Sequence, residues 1–273
     1  MSYGLLYMMI EENYMTFINT KIGEHNIRLH CENKKLVKFL THQFLLIDNG
    51  RKIDLSIFIA EGYGQPFKNY DVEISETQNS ITFKRADYKI TVDPNYTQAE
   101  VHVHNELALK HALMNLYSSF IVHKNWGILL HSSCVLEQKG AHIFTGHSGA
   151  GKSTAAKLSS PRPLLSDEAT IIKIDKDGIL AYDSPFRSEL HGHAPVSNIK
   201  LLSIDLLHQS LSIERKRVDK SSALLALLDK VFYWPSNKKE TKRILPMLRF
   251  LVEQVDIYDL YFQKNNRFWE MIS

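Results

Sequence analysis

Residues Gly146-His147-Ser148-Gly149-Ala150-Gly151-Lys152-Ser153-Thr154 make a complete G-x-x-x-x-G-K-[ST] run. Glycines at these positions let main chain wrap closely around a chain of phosphates, with amide N–H groups turned inward. Lys152 supplies a mobile positive charge for the outer phosphates, and the Ser153 hydroxyl suits Mg²⁺. The apolar run at 141–145 ahead of the loop reads as a buried strand. Residues 153–158 after it read as a helix whose N-terminal end faces the phosphates. The run therefore demands a strand–loop–helix unit and predicts a bound nucleoside triphosphate.

How the chain enters that unit narrows the fold further. Residues 133–137 and 141–145 read as two strands joined by a tight Gln138-Lys139-Gly140 turn, so a hairpin feeds the loop strand instead of a parallel crossover. A second hairpin is expected at 169–174 and 179–182, across Asp175-Lys176-Asp177-Gly178. These features predict an α+β fold with a mixed, partly antiparallel sheet around the phosphate loop. Residues 53–59, 81–84, 88–92 and 100–104 read as strands, which makes the first hundred residues β-rich. Leu109, Ala112, Leu113, Leu116, Tyr117, Phe120 and Ile121 then recur at the spacing of a helix docked on a core. The expected division is a β-rich N-terminal domain over 1–105 and a phosphate-loop domain over 106–273. Later elements are helices at 221–232 and 241–253, the latter holding Pro246, and a strand at 257–262.

Composition bounds the partners. Across 273 residues, 33 basic and 30 acidic side chains are mixed along the chain for a net charge of +3. That balance makes no electrostatic case for nucleic acid or a membrane surface. No apolar run approaches a membrane span, and Glu11 and Glu12 argue against a signal peptide. Cys31 and Cys134 lie far apart, without zinc spacing, and are expected to be reduced. A cytoplasmic location follows as the expectation, with a homo-oligomer left open.

Phosphoryl transfer needs positioned phosphates, a metal and a base for the acceptor. Residues 164–168 read as a short apolar strand ending in Asp167 and Glu168, whose side chains point to opposite faces. One could serve the metal and the other an acceptor hydroxyl. Glu189 is a third acid, in Phe186-Arg187-Ser188-Glu189-Leu190-His191-Gly192-His193. His191 and His193, like His102 and His104, read as polar surface residues without a third clustered ligand.

At these residues the chain resembles the HPr kinase/phosphorylase family, whose kinase domain is related in fold to phosphoenolpyruvate carboxykinase. The order His131, residues 146–154, Asp167-Glu168 and Glu189-Leu190-His191-Gly192 follows the family's hairpin histidine, phosphate loop, acid pair and E-x-x-G signature. The resemblance covers roughly residues 126–200. It implies ATP as donor, with Lys152 on the outer phosphates and Mg²⁺ held by Ser153 and Glu189, with Asp167 beside them. It also implies that the acid pair holds the base for an acceptor serine and that His131 lines the site. The family's second aspartate is Glu168 here, so either Asp167 or Glu168 could be that base. The family's later arginine-bearing loop is not found, which argues against phosphorolysis; Arg187 is the candidate for positive charge near the acceptor. The β-rich leader resembles that of HPr-kinase-like enzymes from peptide-biosynthetic clusters, which phosphorylate the C-terminal serine of lasso-peptide precursors. The expected activity is thus serine phosphorylation of a peptide or small protein. A small-metabolite kinase, a true HPr serine kinase and a non-catalytic nucleotide-binding module are the alternatives.

Overall fold

A computed structural model describes residues 16–188 and 196–272. The chain divides into two compact units, Met1–Phe120 and Ile121–Ser273, and both are built on mixed sheets in an α+β arrangement.

Among the described residues of the first unit there are seven strands, of which the first two form a hairpin, β1 (Thr16–Ile22) and β2 (His25–Cys31). Helix α1 (Lys34–Gln43) follows, and Asn33 caps it by accepting from the N–H groups of Lys35 and Leu36,. It buries Leu36 and Leu40 and carries the chain over to β3 (Leu55–Glu61), which lies parallel to β2,. An antiparallel meander follows: β4 (Glu73–Glu76), β5 (Ile81–Lys84), β6 (Tyr88–Val92) and β7 (Gln98–Val103). The sheet order is β1-β2-β3-β7-β6-β5-β4. Alternation sends Leu29, Ile57, Ile90 and Val101 into the core,. Helix α2 (Glu106–His123) carries the chain from this unit into the next, and the seven apolar residues of its expected stripe are all buried. Strands β1, β2 and β4 and helix α1 lie outside the elements expected from sequence, although Ile27, Leu29 and Cys31 of β2 alternate inward and Leu36 and Leu40 mark the buried face of α1,.

The second unit is organised by two long strands. The first, β8 (Gly127–Glu137), changes partners along its length. Its C-terminal half forms the hairpin with β9 (Gly140–Thr145), in the register Ser132↔Thr145 to Glu137↔Gly140. Helix α3 (Lys152–Leu158) follows the glycine-rich loop, and β10 (Leu164–Ser166) pairs with Cys134 and Val135 on β8. The N-terminal half of β8 pairs with β11 (Ala169–Asp175), which turns into β12 (Gly178–Tyr182).

The second long strand, β13 (Asn198–Gln209), starts antiparallel to β12 and then runs parallel to β9. After β14 (Glu214–Arg217), α4 (Lys220–Leu228) and α5 (Lys238–Gln254), the chain returns as β15 (Asp256–Phe262), parallel to β13. A short 3₁₀ turn, Asn266–Met271, closes the chain. The mixed sheet, both hairpins and the strand–loop–helix unit are as the sequence predicts.

Two differences bear on the site. Strand β13 is not among the elements expected from sequence, and Ser203, Asp205 and His208 interrupt its apolar run. The inner two are buried in a polar network: Arg215 donates to Asp205 Oδ1 at 2.7 Å and to Ser203 Oγ at 2.8 Å, and His142 Nδ1 lies 2.8 Å from Ser203 Oγ. The expected helix at 221–232 stops at Leu228. Main-chain bonds from Phe232 N to Leu129 O (2.9 Å) and from His131 N to Lys230 O (2.7 Å) draw the following residues onto β8 instead. In α5, Pro246 sits mid-helix, where it costs a hydrogen bond,. Burial of Ile244, Met247, Leu248 and Leu251 on the same helix offsets that cost. Among the described residues, no helix is long and apolar enough to cross a membrane.

Candidate functional site

The glycine-rich loop sits where the carboxyl ends of three parallel strands, β9, β13 and β15, come together. Open sheets of this kind present ligand crevices at such ends. Glycine is required at two of its positions. Gly146 has φ +155°, and a Cβ there would lie 2.8 Å from the Cβ of Ala150. Gly151 has φ +108°, and its Cβ would lie 2.8 Å from Cζ of Phe262 at the end of β15. Gly149 also has positive φ, +79°, but faces open space. Beneath the loop, Phe144, Ala150, Ala155, Phe262, Phe268 and Trp269 form one apolar cluster that fixes the floor.

Side chains hold the loop open around Lys152. Its ammonium donates to the carbonyl oxygens of Gly146 and His147, both at 3.2 Å, and the residue as a whole is 9% exposed. Burial, and then the charge of Lys230, push its pKa down. Its own carbonyl accepts from Ser133 Oγ on β8 at 3.1 Å, and Gln209 at the end of β13 donates to the Gly149 carbonyl at 2.7 Å. His147 Nδ1 lies 2.7 Å from the Ser148 carbonyl, and Ser153 and Thr154 in the first turn of α3 are half-buried.

The acid pair lies across β8 from the loop. Ser132 is paired with Thr145, the residue before Gly146, while its N–H donates to the Glu168 carbonyl at 3.1 Å. Loop base and acid pair therefore flank one residue of β8, about 10 Å apart across two strand spacings. Asp167 is buried; Ser188 donates to it through both its N–H and its hydroxyl, each at 3.0 Å. Glu168 is half-buried.

His131 is next to Ser132 and pairs with Ala169, and its carbonyl accepts from Thr145 Oγ1 at 2.7 Å. Burial, with Lys152 and Lys230 adding to it, lowers its pKa to about 4, so the ring is neutral at pH 7,. Strand pairing thus brings His131, the loop base, Asp167 and Glu168 to one level of the sheet. Glu189 and the histidines at 191 and 193 lie outside the described residues.

Arg187 has a different set of partners from the acceptor-facing role expected of it. Its guanidinium donates to Asp183 Oδ1 at 2.6 Å and to the carbonyls of Ser184, Leu164 and Leu165 at 3.1–3.2 Å. In these contacts it clamps the end of β10, immediately before the acid pair. Lys230 is the residue near the loop that the sequence did not bring forward. Its position falls within the helix expected at 221–232, and no local motif marks it.

The donor set suits a polyphosphate carrying a hard cation. The loop glycines leave main chain free for close approach, and oxygen ligands of the Ser153 and Asp167 type match Mg²⁺. Among the described residues, no three His, Cys, Asp or Glu side chains are grouped to hold a metal by themselves. A cation shared with substrate phosphates needs fewer protein ligands. In comparisons with known proteins, the chain matches no protein-family model and no curated protein.

Proposed function

We propose that the chain is an ATP- and Mg²⁺-dependent kinase that phosphorylates a serine hydroxyl of a peptide or small protein, with a lasso-peptide precursor's C-terminal serine as the specific acceptor. The observation that carries this reading is the placement of the G-x-x-x-x-G-K-S loop at the carboxyl ends of β9, β13 and β15, with the acid pair one strand away across β8. Lys152 would leave its two carbonyl partners for the outer phosphates, a move of its side chain alone. The acceptor oxygen forms a bond to the γ-phosphorus, the bond from that phosphorus to the β–γ bridging oxygen breaks, and ADP departs. The hydroxyl proton passes to a carboxylate of the acid pair.

We assign the proton to Glu168, which stands where the resembled family carries its base, while both Asp167 oxygens accept from Ser188. Asp167 then holds Ser188 in place and stands beside Ser153 in the set that would bind Mg²⁺, which when bound neutralises charge developing on the phosphates. Neutral His131 adds a polar wall without a charge. An intact-mass assay with ATP and Mg²⁺ tests the reading, with a serine-ended precursor peptide and HPr offered in parallel. A gain of one phosphate mass on the peptide, lost in Lys152→Ala, is the expected result. No gain on either, with ATP still bound, would move a metabolite kinase or a non-catalytic nucleotide module ahead.

A further inference from the structure

The residues that follow α4 do more than connect two helices. Leu130 and Val231 form an isolated antiparallel bridge. With the bonds from His131 N to Lys230 O (2.7 Å) and from Phe232 N to Leu129 O (2.9 Å), it makes residues 230–232 a one-bridge strand against β8. The rings of His131 and Phe232 lie 5.6 Å apart and pin the same register. Lys230 is thereby fixed beside His131, at the level of β8 where the glycine-rich loop begins. Its side chain is 15% exposed, and its ammonium meets Asp229 Oδ2 at 2.6 Å. The Asp229 side chain is 66% exposed.

The bridge places Lys230 at this level of β8, and its charge acts on both His131 and Lys152, so two lysine cations converge beside the base of the loop. Two cations converging at the mouth of a glycine-rich loop suit a polyanion. An ammonium on a four-carbon stem can exchange an exposed carboxylate for a phosphate at little cost.

We propose that Lys230 is a second phosphate-binding cation of the site, contacting the terminal phosphate of the triphosphate opposite Lys152. This rests on the nucleotide reading above and extends it to a residue outside the loop motif. The transferred phosphoryl group spreads charge over three oxygens in the transition state, and one lysine reaches only part of it. Lys230 supplies charge from the β8 side, where the acceptor arrives past the acid pair.

The test compares ATP and ADP binding by calorimetry in the full chain, with Mg²⁺, for the unchanged protein, Lys230→Met and Lys230→Arg. Lys230→Met is expected to weaken ATP by about tenfold to a hundredfold, the range for losing one bond to a charged group, and to leave ADP within about twofold. Lys230→Arg, which keeps the charge, is expected to recover most of the ATP affinity and to report on folding if the methionine variant is unstable. Equal ATP and ADP affinities in Lys230→Met and the unchanged protein would overturn the assignment. So would equal losses for both nucleotides in Lys230→Met and Lys230→Arg, which would mark Lys230 as structural. If the unchanged protein binds neither nucleotide, the nucleotide reading itself falls, a result distinct from the other two.

Discussion

Replacing Gly151 by alanine tests how the loop is held. Two costs add at this position. An L-residue at φ +108° is strained, at about 1–3 kcal/mol,. The new methyl would also sit 2.8 Å from Phe262 Cζ. Phe262 cannot swing away freely, because it is 4% exposed and packs edge-on against Phe268 with ring centroids 5.7 Å apart. Overpacking of this kind costs about 1–3 kcal/mol, so Gly151→Ala should lose about 2–6 kcal/mol in total. Gly149→Ala is the control: its φ of +79° brings strain, but no atom lies within 4 Å of the added carbon. It should therefore lose only the backbone part, about 1–2 kcal/mol. Urea denaturation followed by fluorescence of the three tryptophans reads both values. In a Phe262→Leu background the extra loss at Gly151 should shrink, which a double-mutant cycle would report as coupling. Equal losses for Gly149→Ala and Gly151→Ala would refute the claim that Phe262 seats the loop.

Three other outcomes follow from the same structure. Arg215→Met should destabilise the protein by about 3–5 kcal/mol by leaving Asp205 buried and uncompensated,; chemical denaturation checks this, and Asp205→Leu in the same background should restore part of the loss. Burial first, then Arg215, lowers the His142 pKa from 6.5 to about 4. The unfolded state therefore binds more protons between those values, and stability is full above about pH 6.5 and falls as pH drops toward 4, by up to roughly 3 kcal/mol; a His142→Gln variant should show a shallower decline in urea midpoints across that window. Glu168→Gln should lower the phosphoryl-transfer rate by about 10²–10⁴-fold with ATP affinity nearly unchanged, whereas Asp167→Asn should also weaken Mg²⁺-dependent ATP binding, and a rate and calorimetry series separates the two.

Much of the site lies within local sequence patterns. The loop, the hairpin that feeds it and the strand ending in Asp167 and Glu168 are each encoded over fewer than fifteen residues, so spacing alone locates them. Other parts depend on pairings between distant segments. Strand β13 is obscured because Ser203 and Asp205 look like surface residues until Arg215 and His142 are placed beside them. Lys230 is obscured by helix-forming neighbours: the leucine-rich run before it reads on as helix, and only bonding to Leu129 and His131 stops it. Arg187 was legible as a cation but not as a clamp, since its carbonyl partners Leu164 and Leu165 lie more than twenty positions away. Where a residue's role depends on a partner that distant, one-dimensional periodicity carries no signal for it.

The central claim is that the loop at the carboxyl ends of β9, β13 and β15 holds a nucleoside triphosphate. Calorimetric titration of ATP with Mg²⁺ into the unchanged protein and into Lys152→Ala tests it most directly. Saturable one-to-one binding that weakens by about a hundredfold in the variant is the predicted result, in line with losing a charged contact in a partly buried site. No binding to the unchanged protein, or the same affinity in both, would contradict the account.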